Sequence, residues 1–176
     1  MANATWNFDL SHSDIAFKVR HMMFAKVSGR FTNWTGTLEF DPENPGDATT
    51  SVSIETASID TANNDRDNHL RSGDFFDAET FPTLEFKSTG FKTEGKKLLV
   101  EGNLTIRDQT HPVTLDAEFL GKVVDPWGND RVGFSATTII NRKEFGLTWN
   151  QAMEAGGVLV GEKIEIEINV QAVKAG

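Results

Sequence analysis

Along most of the chain every second residue is apolar, and this period of two constrains the fold more than any other feature. The C-terminal run is the cleanest case: Ile164, Ile166, Ile168, Val170 and Ala172 alternate with Glu165, Glu167, Asn169 and Gln171. Successive side chains of a strand point to opposite faces, so such a run has one greasy face and one wet face. Leu98, Val100, Gly102, Leu104 and Ile106 repeat the pattern, as do Val113, Leu115, Ala117 and Phe119, and then Val132, Phe134, Ala136, Thr138 and Ile140. Turn-forming clusters at 93–96, 108–110 and 125–130 separate these runs.

The N-terminal half is choppier. Trp6, Phe8 and Leu10 alternate, as do Ile15, Phe17 and Val19, with the turn chemistry of Ser11-His12-Ser13-Asp14 between them. His21 to Ala25, HMMFA, reads as a connecting turn with Met22, Met23 and Phe24 facing inward. Trp34, Leu38 and Phe40 share a phase that Phe31 breaks, and a bulge near Thr32 restores the register. Val52, Ile54 and Thr56, then Leu84, Phe86 and Ser88, complete the count at eight or nine strands. One-sided strands joined by short turns make either two facing sheets or one sheet closed on itself. Long strands, frequent hairpins and the lack of the Cys and Trp framework of an immunoglobulin domain favour a barrel. At 176 residues the chain reads as a single domain over 1–176, mainly β.

The alternation has one long interruption, Asp60 to Pro82, and it is dense in charge. Asn63 or Asn64 caps a short helix there, Asp67 and Arg71 stand at i and i+4, and Gly73 offers a left-handed stop. Phe75, Phe76 and Phe81 follow as apolar anchors. The segment reads as a lid over a sheet, presenting Arg66, Asp67, His69 and Arg71.

Composition excludes several function classes. With no cysteine there is neither a disulfide nor a thiolate metal site. A net charge of -9 argues against general nucleic-acid binding, which needs a basic face. Against that background Ile15 to Leu38 carries Lys18, Arg20, Lys26 and Arg30 and no acid, a locally basic strand and turn or a basic rim for an anionic head group or membrane. The opening MANATWNFDL has no basic n-region and no apolar run, so the chain as it stands reads as cytoplasmic, or periplasmic had a signal been removed. His12, His21, His69 and His111 show no paired metal-ligand spacing, so no metal is expected. No nucleophile elbow or phosphate-cradling glycine loop appears, and the paired carboxylates of the 60–82 segment suit capping and ion pairing. Thirteen Phe and no Tyr suit a greasy interior, either a solid core or a cavity for a hydrocarbon.

Taken in order, Ser11-His12-Ser13 with Ile15-Ala16-Phe17, His21 with Gly29-Arg30-Phe31, Asp60-Thr61 with Asn64, Arg66-Asp67 to His69-Leu70, Asp74-Phe75-Phe76-Asp77, Phe81-Pro82, Leu104-Thr105-Ile106-Arg107, Gly133-Phe134, and Asn141-Arg142 to Phe145-Gly146-Leu147 span nearly the whole chain. Together they resemble the YceI-like family. Asp108 departs from it, standing where the family usually carries Gly. The resemblance implies an extended, antiparallel, eight-stranded lipocalin-like barrel with a short helix in the 60–82 segment. Its pore is expected to hold a long amphiphile, typically a polyisoprenoid such as an isoprenoid quinone or a polyprenyl phosphate, with no further cofactor and no chemical step. Candidates for the tail are Phe17, Val19, Met22, Phe24, Phe31, Phe75, Phe76, Leu84, Phe86, Phe134 and Phe145, and candidates for the head group are Arg66, Asp67, His69, Arg71 and Arg142. Pairing of Arg66 and Arg71 with neighbouring Asp residues is the competing reading for those two. A hydrolase or isomerase acting through His21 or His69, and a solid-core structural domain, are the alternative functions. The expected partner is a hydrophobic small molecule, with transient membrane contact; the resemblance also allows a homodimer, for which no residue here speaks.

Overall fold

The computed structural model describes residues 3–22, 24–150 and 160–175. Among these are eleven strands and one α-helix: β1 (Ala4–Phe8), β2 (Asp14–His21), β3 (Ala25–Phe31), β4 (Trp34–Phe40), β5 (Thr49–Glu55), β6 (Ile59–Asp60), α1 (Asn64–Arg71), β7 (Thr83–Glu94), β8 (Lys97–Ile106), β9 (Gln109–Val124), β10 (Asp130–Asn141) and β11 (Lys163–Lys174). All pairings are antiparallel, and the sheet closes because β11 pairs with β2 through Glu165–Asn169 and with β1 through Ala172–Lys174.

Eleven strands reduce to eight staves. β1 pairs with β4 while β2 pairs with β3, and β5 pairs with β4 while β6 pairs with β3. Each of β1/β2, β3/β4 and β5/β6 is therefore one long stave with a kink in it. The bulge expected near Thr32 is the break between β3 and β4, matched on the next stave by a 3-10 turn at Thr56–Ser58. The two kinks brace each other: Thr32 N–H donates to Ser58 O at 3.1 Å and Glu55 N–H to Asn33 O at 3.0 Å. The Ser11–Asp14 turn likewise does not reverse the chain. It becomes a 3-10 turn, Leu10–His12, after which the chain carries on along the same β11 neighbour.

The β1/β2 kink is tied by charge to β10, across the intervening β11. Arg131 Nη1 donates to Asp9 Oδ2 at 2.7 Å and its Nε to Asp125 Oδ2 at 2.8 Å. Arg131, then Ser11 and His12, hold the Asp9 carboxyl well below the usual carboxylate range; Asp125 is lowered by the Asn129 backbone first and by Arg131. A carboxylate whose folded pKa is depressed stabilises the fold fully above its unfolded value, near pH 4, and loses that contribution as pH falls toward the folded value. The expected result is a wild type that weakens below about pH 4. Denaturant titrations of Arg131→Gln at pH 7 and pH 3 should differ less than those of the wild type, because the variant has already lost the pH-dependent part.

One end of the barrel is solid. Phe40, Phe119 and Phe134 stack with centroids 5.1–5.3 Å apart, and Trp6 Nε1 donates to Phe40 O at 2.9 Å. The other end carries α1. Asn63 caps it through Arg66 N–H, as expected. The stop is different: Ser72 in extended conformation ends the helix, its hydroxyl donating to His69 O, and Gly73 takes no left-handed turn. Nor do Asp67 and Arg71 pair, since each has a better-fixed partner described below. Among the described residues no helix is long and apolar enough to cross a membrane.

Candidate functional site

Below the α1 end the staves do not meet in the middle. They enclose a chamber of about 180 Å³, where one water needs roughly 10–15 Å³. Beyond Leu115 and Ile168, which line both spaces, lies a smaller void of about 90 Å³ against the aromatic plug. Leu104, Val113, Leu115, Ile164, Ile166 and Ile168 face inward yet are only partly buried, because they front empty space. Side chains thus close the plug end around the smaller void, while the α1 end is hollow. The wall has seven Ile, five Leu and four Val against five Phe, so aliphatic residues of the alternating strands build it more than phenylalanine does.

Seven of the tail candidates line the chamber: Phe17, Val19, Phe31, Phe75, Phe76, Leu84 and Phe86. The rings of Phe17 and Phe86 approach the backbone at Gly29 and Gly102, which make room for them. A Cβ on Gly29 would sit 2.4 Å from Phe17 Cζ, and one on Gly102 2.4 Å from Phe86 Cζ. Four candidates are placed elsewhere. Phe134 belongs to the plug and the smaller void. Phe145, 1 % exposed, stacks on His111 at 5.1 Å outside the chamber. Met22 and Phe24 face outward at 44 % and 85 % exposure, because a three-residue link between β2 and β3 projects past the barrel rim. Met23 lies outside the described residues.

The chamber opens through an apolar collar. Phe17, Val19, Leu70, Phe75 and Val160 line both it and an outer vestibule of about 390 Å³, which adds Arg20, His21, Thr61, Asp65, Arg66, His69 and Trp149. Of the head-group candidates, Arg66 and His69 are there. Arg66 is fixed by Nε to Thr61 Oγ1 and Nη2 to Thr61 O, both at 2.8 Å, leaving the rest of its fork without a partner among the described residues. His69 Nε2 lies 2.9 Å from Asp74 Oδ2, and its ring meets Trp149 and Phe75 edge-on at 4.6 and 5.1 Å. Ser72 reaches His69 only at its backbone carbonyl, and among the described residues no serine or threonine hydroxyl bonds to the imidazole. No three of His, Cys, Asp or Glu gather into a metal site among those residues.

Asp67 and Arg71 are not in the vestibule. Asp67 is 5 % exposed and accepts from Thr61 N–H at 2.9 Å and Thr61 Oγ1 at 2.6 Å, a buried brace for the turn before α1. Arg71 donates to Ala57 O and Ile59 O, riveting α1 to the β5/β6 kink. Both prefer these fixed backbone groups to a solvent-exposed ion pair of little net worth.

Arg142 is more committed still. It is 2 % exposed and donates to Gly161 O (2.7 Å), Leu147 O (2.6 Å), Trp149 O (3.0 Å) and Val160 O (3.3 Å). Burial pushes its guanidinium below the ordinary arginine value, partly opposed by Glu162. It borders the chamber, but of its five N–H groups one, on Nη2, is left over among the described residues. The sequence places Arg20 in a basic stretch that suits a rim for an anionic head group, without marking it as a head-group residue, and Trp149 lies in a stretch without periodicity that gives no signal.

The chain matches the YceI-like domain family over residues 6–172. A UPF0312 protein of Vibrio cholerae is 38% identical over 165 residues, covering 93% of this chain and 83% of the relative. The crystal structure of Burkholderia cenocepacia BcnA superposes with a TM-score of 0.82 at 22% identity, covering 93% of this chain and 98% of that one. A polyisoprenoid binding domain from Saccharophagus degradans, implicated in plant cell wall breakdown, superposes with a TM-score of 0.71 at 12% identity over 98% and 99%. These structural likenesses carry the fold, a closed antiparallel barrel of eight staves with one helix, and the sequence match carries the family. The chain is a member of the YceI-like family.

Proposed function

We propose that this protein binds and carries, or sequesters, a single long-chain amphiphile, a polyisoprenoid such as an isoprenoid quinone or a polyprenyl phosphate, without a chemical step. One observation carries the reading: an almost wholly apolar chamber opens through an apolar collar into a vestibule holding Arg20, His21, Arg66 and His69. The first space suits apolar tail carbons and the second a hydrogen-bond-accepting head group. Arg66, prealigned by Thr61, presents its free N–H groups to a phosphate or a quinone carbonyl. The polyisoprenoid binding domain with the same fold supports the choice of tail chemistry.

Magnitudes separate carriage from tight capture. Burial from water is worth about 0.8 kcal/mol per methylene, so a forty-carbon tail sums to roughly 30 kcal/mol, beyond the practical ceiling near 20. In a cell the competing solvent is a bilayer as apolar as the chamber, so tail transfer is nearly neutral. Shape and head-group contacts then decide occupancy, as suits a protein that exchanges its cargo.

Protein purified without detergent, extracted with organic solvent and examined by mass spectrometry is expected to yield one amphiphile per chain with a polyprenyl tail. Repeated preparations that yield none, and that also fail to load an isoprenoid quinone or polyprenyl phosphate on reconstitution, would overturn the reading.

A further inference from the structure

The link between β2 and β3 has the wrong chemistry for a tight turn in water. Short hairpin links favour Gly, Asn and Asp, which tolerate positive φ and solvent, whereas this one reads His21-Met22-Met23-Phe24. Met22 is held at φ 54°, a left-handed conformation costly for such a side chain, and Phe24 N–H donates to His21 O at 3.2 Å to close the turn. The result is a rim where Phe24 is 85 % and Met22 44 % exposed.

Directly behind this apolar tip stand two cations. Arg20 and Lys26 are cross-strand partners in the β2–β3 ladder, a like-charge juxtaposition that destabilises an isolated hairpin. Lys26 is paired with Glu165 at 2.9 Å, and the Arg20 side chain, with no hydrogen bond or close ion pair among the described residues, shares the field of that same carboxylate with Lys18. Lys18 and Arg30 continue the basic stretch in sequence, but Glu165 and Asp60 stand opposite them in the sheet, so the docking charge is that of Arg20 and Lys26 next to the tip. Arg20 and His21 are also vestibule residues, so the tip borders the chamber's entrance.

We infer that the β2–β3 tip is a docking surface for an anionic phospholipid bilayer, with Phe24 and Met22 entering the interfacial region and Arg20 and Lys26 meeting lipid phosphates. This rests on the reading of the barrel as an amphiphile carrier, since a prenyl tail leaves a bilayer only through a mouth that touches it. Charge selects this end of the molecule. A second exposed apolar group, Val123, Val124 and Trp127, lies at the opposite end around the β9–β10 turn, where Asp125 and Asp130 are paired with Arg131 and Lys122 and leave no excess of positive charge. The acidic remainder of the surface is repelled by anionic lipid, which turns the basic mouth toward it.

The test is sedimentation of the full chain with vesicles free of prenyl lipid. One set is phosphatidylcholine alone and the other is phosphatidylcholine with phosphatidylglycerol. Binding is expected only to the second set, and it should weaken with added salt. Phe24→Ser is expected to weaken it about tenfold to a hundredfold, the worth of one buried Phe side chain. Arg20→Gln with Lys26→Gln should weaken it roughly thirtyfold, about fivefold per basic residue. Trp127→Ser should leave it unchanged. Circular dichroism checks the fold, and extracted amphiphile is measured on the same batches, so loss of docking in Phe24→Ser with cargo retained supports the surface. Vesicle binding by a wild type that yields no amphiphile removes the carrier reading and leaves the docking surface standing. The inference is overturned if the wild type ignores both vesicle sets, if Phe24→Ser binds as well as the wild type, if Trp127→Ser is the variant that releases, or if Phe24→Ser instead dissolves a dimer.

Discussion

Arg142→Met is expected to lower the unfolding free energy by about 3 to 5 kcal/mol, with a fall in Tm of roughly 10 °C for a chain of this size. Methionine keeps the unbranched stem and most of the volume, so the loss isolates the guanidinium. Four carbonyls, of Leu147, Trp149, Val160 and Gly161, share that group, and of these Val160 O keeps a second donor in Asn150 Nδ2. They lie on the two stretches flanking residues 151–159, so a single buried cation ties both to the barrel. Each buried acceptor left without a donor costs about 1–3 kcal/mol, less what vestibule water recovers. Arg142→Lys keeps the charge but replaces a planar five-donor fork with a three-donor point, which cannot serve acceptors on both stretches, so an intermediate loss is expected. Chemical denaturation of the three proteins checks the order. A cost below about 1 kcal/mol for Arg142→Met would show that something else holds these stretches. Capture of amphiphile should fall as well, because Trp149 and Val160 belong to the vestibule.

The barrel was legible because a period of two maps directly onto an inner and an outer face, and runs such as Leu98–Ile106 and Ile164–Ala172 became single uninterrupted staves. The phase slip at Phe31 disclosed the kink at Thr32–Asn33 for the same reason. Which kinks keep the chain's direction is not a local property. Ser11–Asp14 has good turn residues, yet both of its flanking strands lie on β11, and only the pairing of distant segments fixes that. In the lid, Asn63 was readable because capping is local. Asp67 and Arg71 were not, since their partners, Thr61 and the carbonyls of the β5/β6 kink, are set by tertiary packing.

The candidate site was legible in kind and only partly in detail. Alternation says which residues face inward and nothing about whether they meet. The surplus of Phe pointed to a greasy interior, but Phe40, Phe119 and Phe134 went into the plug and Phe145 under His111, while isoleucines and leucines lined the void. The HMMF link was read inward because three apolar residues ordinarily seek a core. The short connection between β2 and β3 leaves Met22 and Phe24 no interior to reach.

Filling the chamber is expected to have opposite effects on binding and on stability. Leu104→Phe on β8 together with Ile166→Phe on β11 places two rings where partly buried aliphatic side chains now front empty space. In a close-packed core such additions cost about 1–3 kcal/mol each through strain. Here the rings have somewhere to go, so the double variant should unfold at the same temperature as the empty wild type or higher, by about 0.5–2 kcal/mol, the usual gain from filling a cavity. The same rings exclude tail carbons. Displacing three to five methylenes at about 0.8 kcal/mol each weakens capture from water by roughly a hundredfold or more. Reconstitution with a labelled isoprenoid quinone measures the first quantity and thermal unfolding of delipidated protein the second. Unchanged capture would show that the chamber is not the binding site. Lost capture with a collapse in Tm would show that the interior is too tightly packed to hold a ligand, the behaviour of a solid-core domain. Only an accommodating void gives a barrel that is at least as stable and empty of cargo.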